Sequence, residues 1–342
     1  MYHNAEIAHW MRYQKTHTII PAHADIDLTN VCNQDCFYCN SAEFRARVPV
    51  QKKYDDYIKL LDQLADWRSH SPKSYGTLHS ISYPGGGEPT VLPGYEKVIE
   101  HTMDLGFMAS LTTNGSKLES LIENVPVDKI RLMAWVGIDI DAGNEEMYEK
   151  IRRSLTRNSL FDKVMYNAKG LVNIGAKVDF KVLLHEQNST PEELASIFET
   201  SKKVGVRMVY FRPLIANNKV FVFTEQLFLD LEELSKKYEV PYKVNKSKSL
   251  ERTYNRCHQM FQFPVFSADG QVYTCCENRG NENYSIGSWI DNDVRDLWLS
   301  ERHYEIYNKI NTKLCQPCRP NFNNIQIQKA LDDPSQLENL YV

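Results

Sequence analysis

Three cysteines within eight residues constrain this 342-residue chain more than any other feature. Cys32, Cys36 and Cys39 directly follow a short apolar-alternating run, Ala24-Asp25-Ile26-Asp27-Leu28. A strand that ends by offering three thiols on a loop is placed to grip a metal. A closed zinc site takes four ligands, whereas three thiolates suit a cubane iron–sulfur cluster whose fourth iron is left to another group. The first ten residues lack the apolar stretch of a secretory signal, and no run approaches the roughly 18 apolar residues of a membrane span. A cytoplasmic chain keeps its cysteines reduced, and with eight of them, clustered spacing favours metal over disulfide. A net charge of −4 gives no reason to expect nucleic acid or an anionic membrane as partner.

Residues 1–23 carry His3, His9, His17 and His23 without a clear apolar period. They are expected to form an extension lying against the core, with the histidines in surface or packing roles. From residue 24 to 215 the pattern alternates strand and helix. Tyr54, Tyr57, Ile58, Leu61, Leu64 and Trp67 recur at helical spacing. Strands are expected at 78–83, 107–111, 130–138, 178–184 and 206–211, with helices near 94–105, 159–173 and from Thr190-Pro191 onward. About six β/α units of this kind build a parallel sheet, curled into a barrel or opened into a doubly wound layer. Residues 216–250 hold an amphipathic helix around 224–238 and a linker near Val244–Leu250. Residues 251–325 have another texture: a β-hairpin turning at Asp269-Gly270, then a helix over 293–310 burying Val294, Leu297, Trp298, Tyr304 and Ile310. Residues 326–342 are read as a tail.

The remaining cysteines are Cys257, Cys275, Cys276, Cys315 and Cys318. Cys315 and Cys318 form a two-thiolate clamp, and folding would bring Cys257 and one of the adjacent pair Cys275 and Cys276 to it. Spacing alone leaves zinc and iron–sulfur open for this set, and the spare cysteine is expected to be a small buried hydrophobe. Pro84-Gly85-Gly86-Gly87-Glu88-Pro89 follows the second strand, where glycines let the backbone approach a ligand and a carboxylate could hold an ammonium group. Asn114 and Asp139 also stand at strand ends, the rim where α/β proteins place their sites.

These residues together resemble the radical S-adenosylmethionine (SAM) superfamily. Cys32-x3-Cys36-x2-Cys39 with Tyr38 before the third cysteine is similar to its signature, and Gly86-Gly87-Glu88 to its GGE motif. The resemblance covers roughly residues 22–215 and implies a partial (β/α)6 TIM-like barrel. It implies a [4Fe–4S] cluster on Cys32, Cys36 and Cys39, with one iron left for the amino and carboxylate groups of SAM. It further implies that Tyr38 contacts the adenine, that Gly86, Gly87 and Glu88 meet the SAM amino group, and that Asn114 and Asp139 lie near the ribose and methionine moieties. Arg152 resembles the arginine that pairs the SAM carboxylate, with Arg153 its adjacent alternative. The tail resembles the SPASM/twitch group, a small C-terminal β-hairpin/α iron–sulfur domain. In the shorter twitch form Cys257, Cys275, Cys315 and Cys318 would fully ligate one auxiliary [4Fe–4S] cluster, which also selects Cys275 over Cys276.

The chemistry so implied is reduction of SAM to a 5′-deoxyadenosyl radical that removes a hydrogen atom from the substrate, with electrons from a donor such as flavodoxin or ferredoxin. A fully ligated second cluster is suited to taking an electron, which points to two-electron oxidation of a sugar, cyclitol or similar small molecule. Lys181, His185, Glu186 and Arg212 are, by position, candidates for the base. The alternative is modification of a ribosomal peptide, against which the short stretch before the first strand weighs. A third class, the molybdopterin-forming cyclase, ends in glycines that Asn339-Leu340-Tyr341-Val342 does not match.

Overall fold

The computed structural model describes residues 2–13, 18–70, 76–216, 219–245, 252–315, 318 and 320–336. Six parallel strands form the centre: β1 (His23–Ile26), β2 (Ser80–Tyr83), β3 (Met108–Thr113), β4 (Trp135–Asp139), β5 (Val178–Leu184) and β6 (Met208–Pro213), hydrogen-bonded in that order. Helices cross over between them, as Tyr54–Ser69, Tyr95–Asp104, Phe161–Asn173 and Pro191–Val204. β1 and β6 do not pair, so the barrel is partial and α/β, as expected.

Alternation along the strands explains where the core sits. Ile26, Ile81, Ala109, Leu111, Val136, Ile138, Phe180, Val182, Val209 and Phe211 are buried on the outer face against the helices. The opposite face carries Asp25, Ser82, Ser110, Thr112, Asp139, Lys181 and Arg212, a polar barrel interior. The helix Pro191–Val204 begins as its cap predicts: Thr190 accepts from the Glu193 N–H and Pro191 stands at the first position.

The chain departs from the expected elements in four places. Residues 127–132 form a short helix, starting after Pro126, and only Trp135–Asp139 is strand. The expected 293–310 helix is two helices, Val294–Leu297 and Glu301–Lys309, broken where Leu299 takes φ +60. Ser300 caps the second, which buries His303 and Ile306, while Tyr304 is exposed. The region read as a linker adds a small hairpin, β7 (Ile215–Ala216) and β8 (Lys219–Val220), and β9 (Tyr242–Val244), which pairs with β6 in parallel. The N-terminal extension contains a helix, Tyr2–Tyr13, packed on Asn321–Asp332. His17, residues 246–250 and 339–342 lie outside the described residues.

The tail hairpin forms as predicted, β10 (Val265–Phe266) and β11 (Gln271–Tyr273) turning at Gly270 with φ +94. It is not a separate layer. β10 pairs in parallel with β1, Asp25 opposite Val265, and β12 (Ser285–Ser288) continues the sheet beyond β11. Among the described residues the barrel and the tail therefore share one ten-stranded sheet.

Candidate functional site

A cavity of about 290 Å³ opens at the carboxyl ends of the strands. Its wall includes Cys32, Cys36, Tyr38 and Cys39 from the loop after β1, Gly85–Glu88 after β2, Asn114 after β3, Asp139 at the end of β4, Arg152, and Arg212 from β6. Residues read from six separate stretches of sequence thus meet in one place.

The glycine turn is built by close backbone approach. The Gly87 N–H donates to the Thr29 carbonyl at 2.6 Å and the Glu88 N–H to the Val31 carbonyl at 2.9 Å. A Cβ on Gly87 would overlap the Val31 carbonyl, and Gly85 and Gly86 take φ +127 and +103, open to glycine alone at no steric cost. The cysteine loop and the glycine turn are thereby pressed together.

Glu88 does something the motif did not announce. Its Oε1 accepts from the Thr90 N–H (3.0 Å), the Thr90 hydroxyl (2.6 Å) and the Thr113 hydroxyl (2.5 Å), and its Oε2 from the Asn114 N–H at 2.7 Å. Burial raises the pKa of this carboxyl while these bonds act to lower it. Oε1 is saturated, so the side chain chiefly ties the turn after β2 to the end of β3. Asn114 is likewise engaged: its amide donates to Asn33 Oδ1 at 2.8 Å and its oxygen accepts from Ser116, lashing the cysteine loop to the β3 turn.

Arg152 is buried and forms an ion pair with Asp141 at 2.8 Å. The same Nη1 donates to the Tyr38 hydroxyl at 2.8 Å, Nε donates to Gln34 Oε1 at 3.1 Å, and the Tyr38 hydroxyl donates to Asp141. Asp141, with φ +56, also accepts the Leu183 N–H at 2.7 Å. Sequence reading missed Asp141 and Gln34. An acidic residue two after Asp139 was visible, but which of the pair faces Arg152 depends on the strand's end and not on composition. Arg153 stands at the helix C-cap with φ +52, over the Phe37 ring at 5.9 Å.

The donor set fits the iron–sulfur cluster implied for Cys32, Cys36 and Cys39. Three half-buried free thiols share the loop, and burial pushes Cys36 up to about 11, so metal binding there must displace protons. Arg45 stands against Cys39 and Cys32, its Nε buried without a hydrogen-bond partner among the described residues, a cation suited to an anionic thiolate cluster. Among the described residues no three His, Cys, Asp or Glu side chains converge as ligands of a single ion. Thiolates on a cubane bind different irons and stand further apart than that.

The tail cysteines also gather. Burial pushes Cys257 up to about 12 and Cys318 up to about 11, each with a contribution from Cys315, and Tyr284 rises to about 12 under burial and the thiols of Cys315, Cys275 and Cys257. Asn324, fully buried, donates to Cys257 Sγ at 3.6 Å. Cys276 is no core hydrophobe: it is half-buried and lines the main cavity with Glu277 and Arg279. Lys181 and Arg212 approach Asp139 Oδ1 at 3.3 and 3.9 Å. Glu186 is exposed, and His185 is buried against Phe37 with its pKa lowered by burial.

Fold and site define a partial-barrel protein whose C-terminal region binds iron–sulfur. The chain belongs to the radical SAM superfamily: that family's model matches residues 26–210, and an iron–sulfur cluster-binding domain of the SPASM type matches 257–319. Its cofactors are S-adenosyl-L-methionine and [4Fe–4S] clusters. A probable GTP 3′,8-cyclase of Saccharolobus islandicus is 25% identical over 225 residues, 65% of this chain and 67% of that protein. A second, from Methanocaldococcus jannaschii, is 26% identical over 200 residues, 55% of this chain and 58% of its own. Among solved structures, Streptococcus suis SuiB bound to precursor peptide SuiA has a TM-score of 0.64 at 14% identity, covering 90% of this chain and 73% of SuiB. Native anSMEcpe with bound AdoMet has a TM-score of 0.58 at 14% identity, covering 94% and 99%. These two establish likeness of fold. Among the described residues no helix is long and apolar enough to cross a membrane.

Proposed function

We propose that the protein oxidises a small polar molecule by two electrons, converting a carbinol carbon of a sugar, cyclitol or similar metabolite to a carbonyl. The observation that carries this reading is the gathering of Cys257, Cys315 and Cys318, with Cys275 beside Tyr284, into a second thiol cluster. Four thiolates would close a cubane and leave it free to accept an electron rather than bind substrate. With SAM on the cluster of Cys32, Cys36 and Cys39, the bound cofactors supply a radical able to remove a hydrogen atom from an unactivated carbon.

The chain's own residues have the remaining tasks. Gly86 and Gly87 offer backbone to the SAM amino group, Oε2 of Glu88 retains one acceptor site, and Arg152 Nη2, without a hydrogen bond among the described residues, is available to the SAM carboxylate. Tyr38 lines the same wall, its hydroxyl fixed by Arg152 and Asp141. Asn114 and Asp139 complete the rim nearest the ribose.

A proton must also leave the substrate. The four bases expected from position serve poorly. Arg212 cannot lose its proton, Lys181 is ion-paired, and His185 and Glu186 do not line the cavity. Among the cavity's carboxylates Glu88 is hydrogen-bonded four times, Asp139 faces two cations, and Asp25 bonds His23. Among the described residues Glu277 accepts only from the Asn40 amide, at 3.1 Å, and we assign it to take the proton. Modification of a peptide remains the second reading, favoured by the likeness of fold to SuiB solved with its precursor peptide.

The test is anaerobic reconstitution followed by incubation with SAM, reductant and a metabolite extract, tracking methionine and carbonyl products by mass. About eight irons per chain are expected for two cubanes. Glu277→Gln should cleave SAM yet form no carbonyl product. Zinc in place of iron, with no SAM cleavage, sinks the reading.

A further inference from the structure

The inner wall of the barrel holds an arginine whose donors find no acceptor among the described residues. Asp139 on β4 lies opposite Lys181 on β5, and Leu183 opposite Arg212 on β6, so these side chains share the face turned to the cavity. Lys181 Nζ and Arg212 Nη2 both approach one oxygen, Asp139 Oδ1, at 3.3 and 3.9 Å. Lys181 is further held by the Thr112 hydroxyl at 3.1 Å and stands over the Trp135 ring at 5.5 Å. The other cations of the wall have their own partners: Arg152 with Asp141, Arg279 with Asp27, and Arg45 with the thiols. Lys181 holds Asp139 Oδ1 more closely, so Arg212 is left with a long, shared contact to that carboxylate.

Arg212 is the cation of this wall left without a close partner among the described residues. It lines the cavity beside Pro213, Leu214 and Ile215, and its side chain is only 20% exposed. Its side chain makes no hydrogen bond among the described residues, and its Nε is buried without a partner. A guanidinium carries five N–H donors and cannot shed its charge, so holding it there undonated is costly unless something accepts from it. The 3.9 Å contact with Asp139 is too long to be a hydrogen bond.

We propose that Arg212 binds an anionic oxygen group of the substrate, a carboxylate or a phosphate, while Lys181 behind it occupies Asp139. This rests on the reading of the cavity as a radical SAM substrate site. It narrows the substrate class from sugars and cyclitols at large to their acids and phosphate esters. A planar fork of donors matches either group in two parallel hydrogen bonds.

The experiment is calorimetric titration of the reconstituted, SAM-bound protein with inorganic phosphate and, separately, with acetate. Saturable one-to-one binding is expected, weakened at least about tenfold in Arg212→Gln and partly recovered in Arg212→Lys, which keeps the charge but not the fork. Phosphate bound without acetate assigns a phosphate ester, acetate without phosphate a carboxylate, and comparable binding an oxyanion site open to both. No saturable binding of either probe overturns the proposal, as does unchanged affinity in Arg212→Gln. A comparable loss of SAM affinity in that variant overturns it too, because Arg212 then serves the cofactor. Iron content and circular dichroism of both variants confirm that they fold. SAM cleavage by the wild-type preparation separates the two readings: cleavage without anion binding removes the subsite alone, and anion binding without cleavage removes the radical chemistry alone.

Discussion

A buried polar side chain is informative through the partner it has, and His303 and Arg152 show two outcomes. Arg152 is charged and matched by Asp141, so its burial sets a fixed donor at the cavity wall. His303 is buried between Phe261 and Trp298, its Nδ1 accepting the Leu299 N–H at 3.2 Å and its Nε2 without a hydrogen-bond partner among the described residues. Burial lowers its pKa from 6.5 to about 3. Because the folded value is depressed, the unfolded chain binds the proton first as pH falls, so stability is intact above about 6.5 and declines between there and about 3. The slope is at most about 1.4 kcal/mol per pH unit. Urea unfolding at a series of pH values should therefore show a shallower acid decline in His303→Leu, and an identical slope in both proteins would refute this. The resemblance placed Arg152 at the site but not its partner Asp141, and the role of His303 was not legible, because it is one residue in a polar stretch and its burial comes from the break at Leu299.

At the scale of elements, the site is a set of loops tied to one another at the strand ends. The turn after β2 touches the cysteine loop through Gly87, and Asn33 and Asn114 join that loop to the turn after β3. Gly87→Ala places a methyl on the Val31 carbonyl, backbone against backbone, so one of the two loops must move. We expect SAM affinity to fall at least about tenfold, with lower iron retention and little change in far-ultraviolet dichroism. Normal SAM binding by this variant would show that the two loops need not touch. The strands were readable because alternation and helical period are local signals, whereas their curling into a partial barrel was implied only by the family resemblance. The break of the 293–310 helix and the short helix at 127–132 were not, since apolar residues there fit both periods.

The whole molecule is held together by a sheet that does not stop at the barrel. β10 lies on β1, and Arg279 from the tail forms a two-pronged ion pair with Asp27, which is fully buried at the end of β1. Arg279 also bonds the Cys276 carbonyl, so the same contact positions the loop carrying Cys275, Cys276 and Glu277 over the cavity. Removing one partner strands a buried charge, and Arg279→Met should cost about 3–5 kcal/mol. Asp27→Leu combined with Arg279→Met should recover much of that loss, because the stranded carboxylate goes too. Denaturant unfolding of the two variants decides it: a single variant as stable as wild type would mean that the tail is held by the β1–β10 pairing alone.

The sequence by itself determined the two groups of thiols, the glycine turn, and the apolar and polar faces of the strands. These depend on residues within a few positions of one another, where spacing and rotation per residue leave little freedom. Tertiary structure alone decided what the polar face does. Asp141 rather than Asp139 takes Arg152, Arg279 reaches Asp27 across 252 residues of chain, and Cys276 comes to the cavity instead of the core. Strand register decides that Lys181 and Arg212 share one carboxylate. Such pairings arise only when the sheet closes, because desolvation selects a partner from whatever the fold brings near.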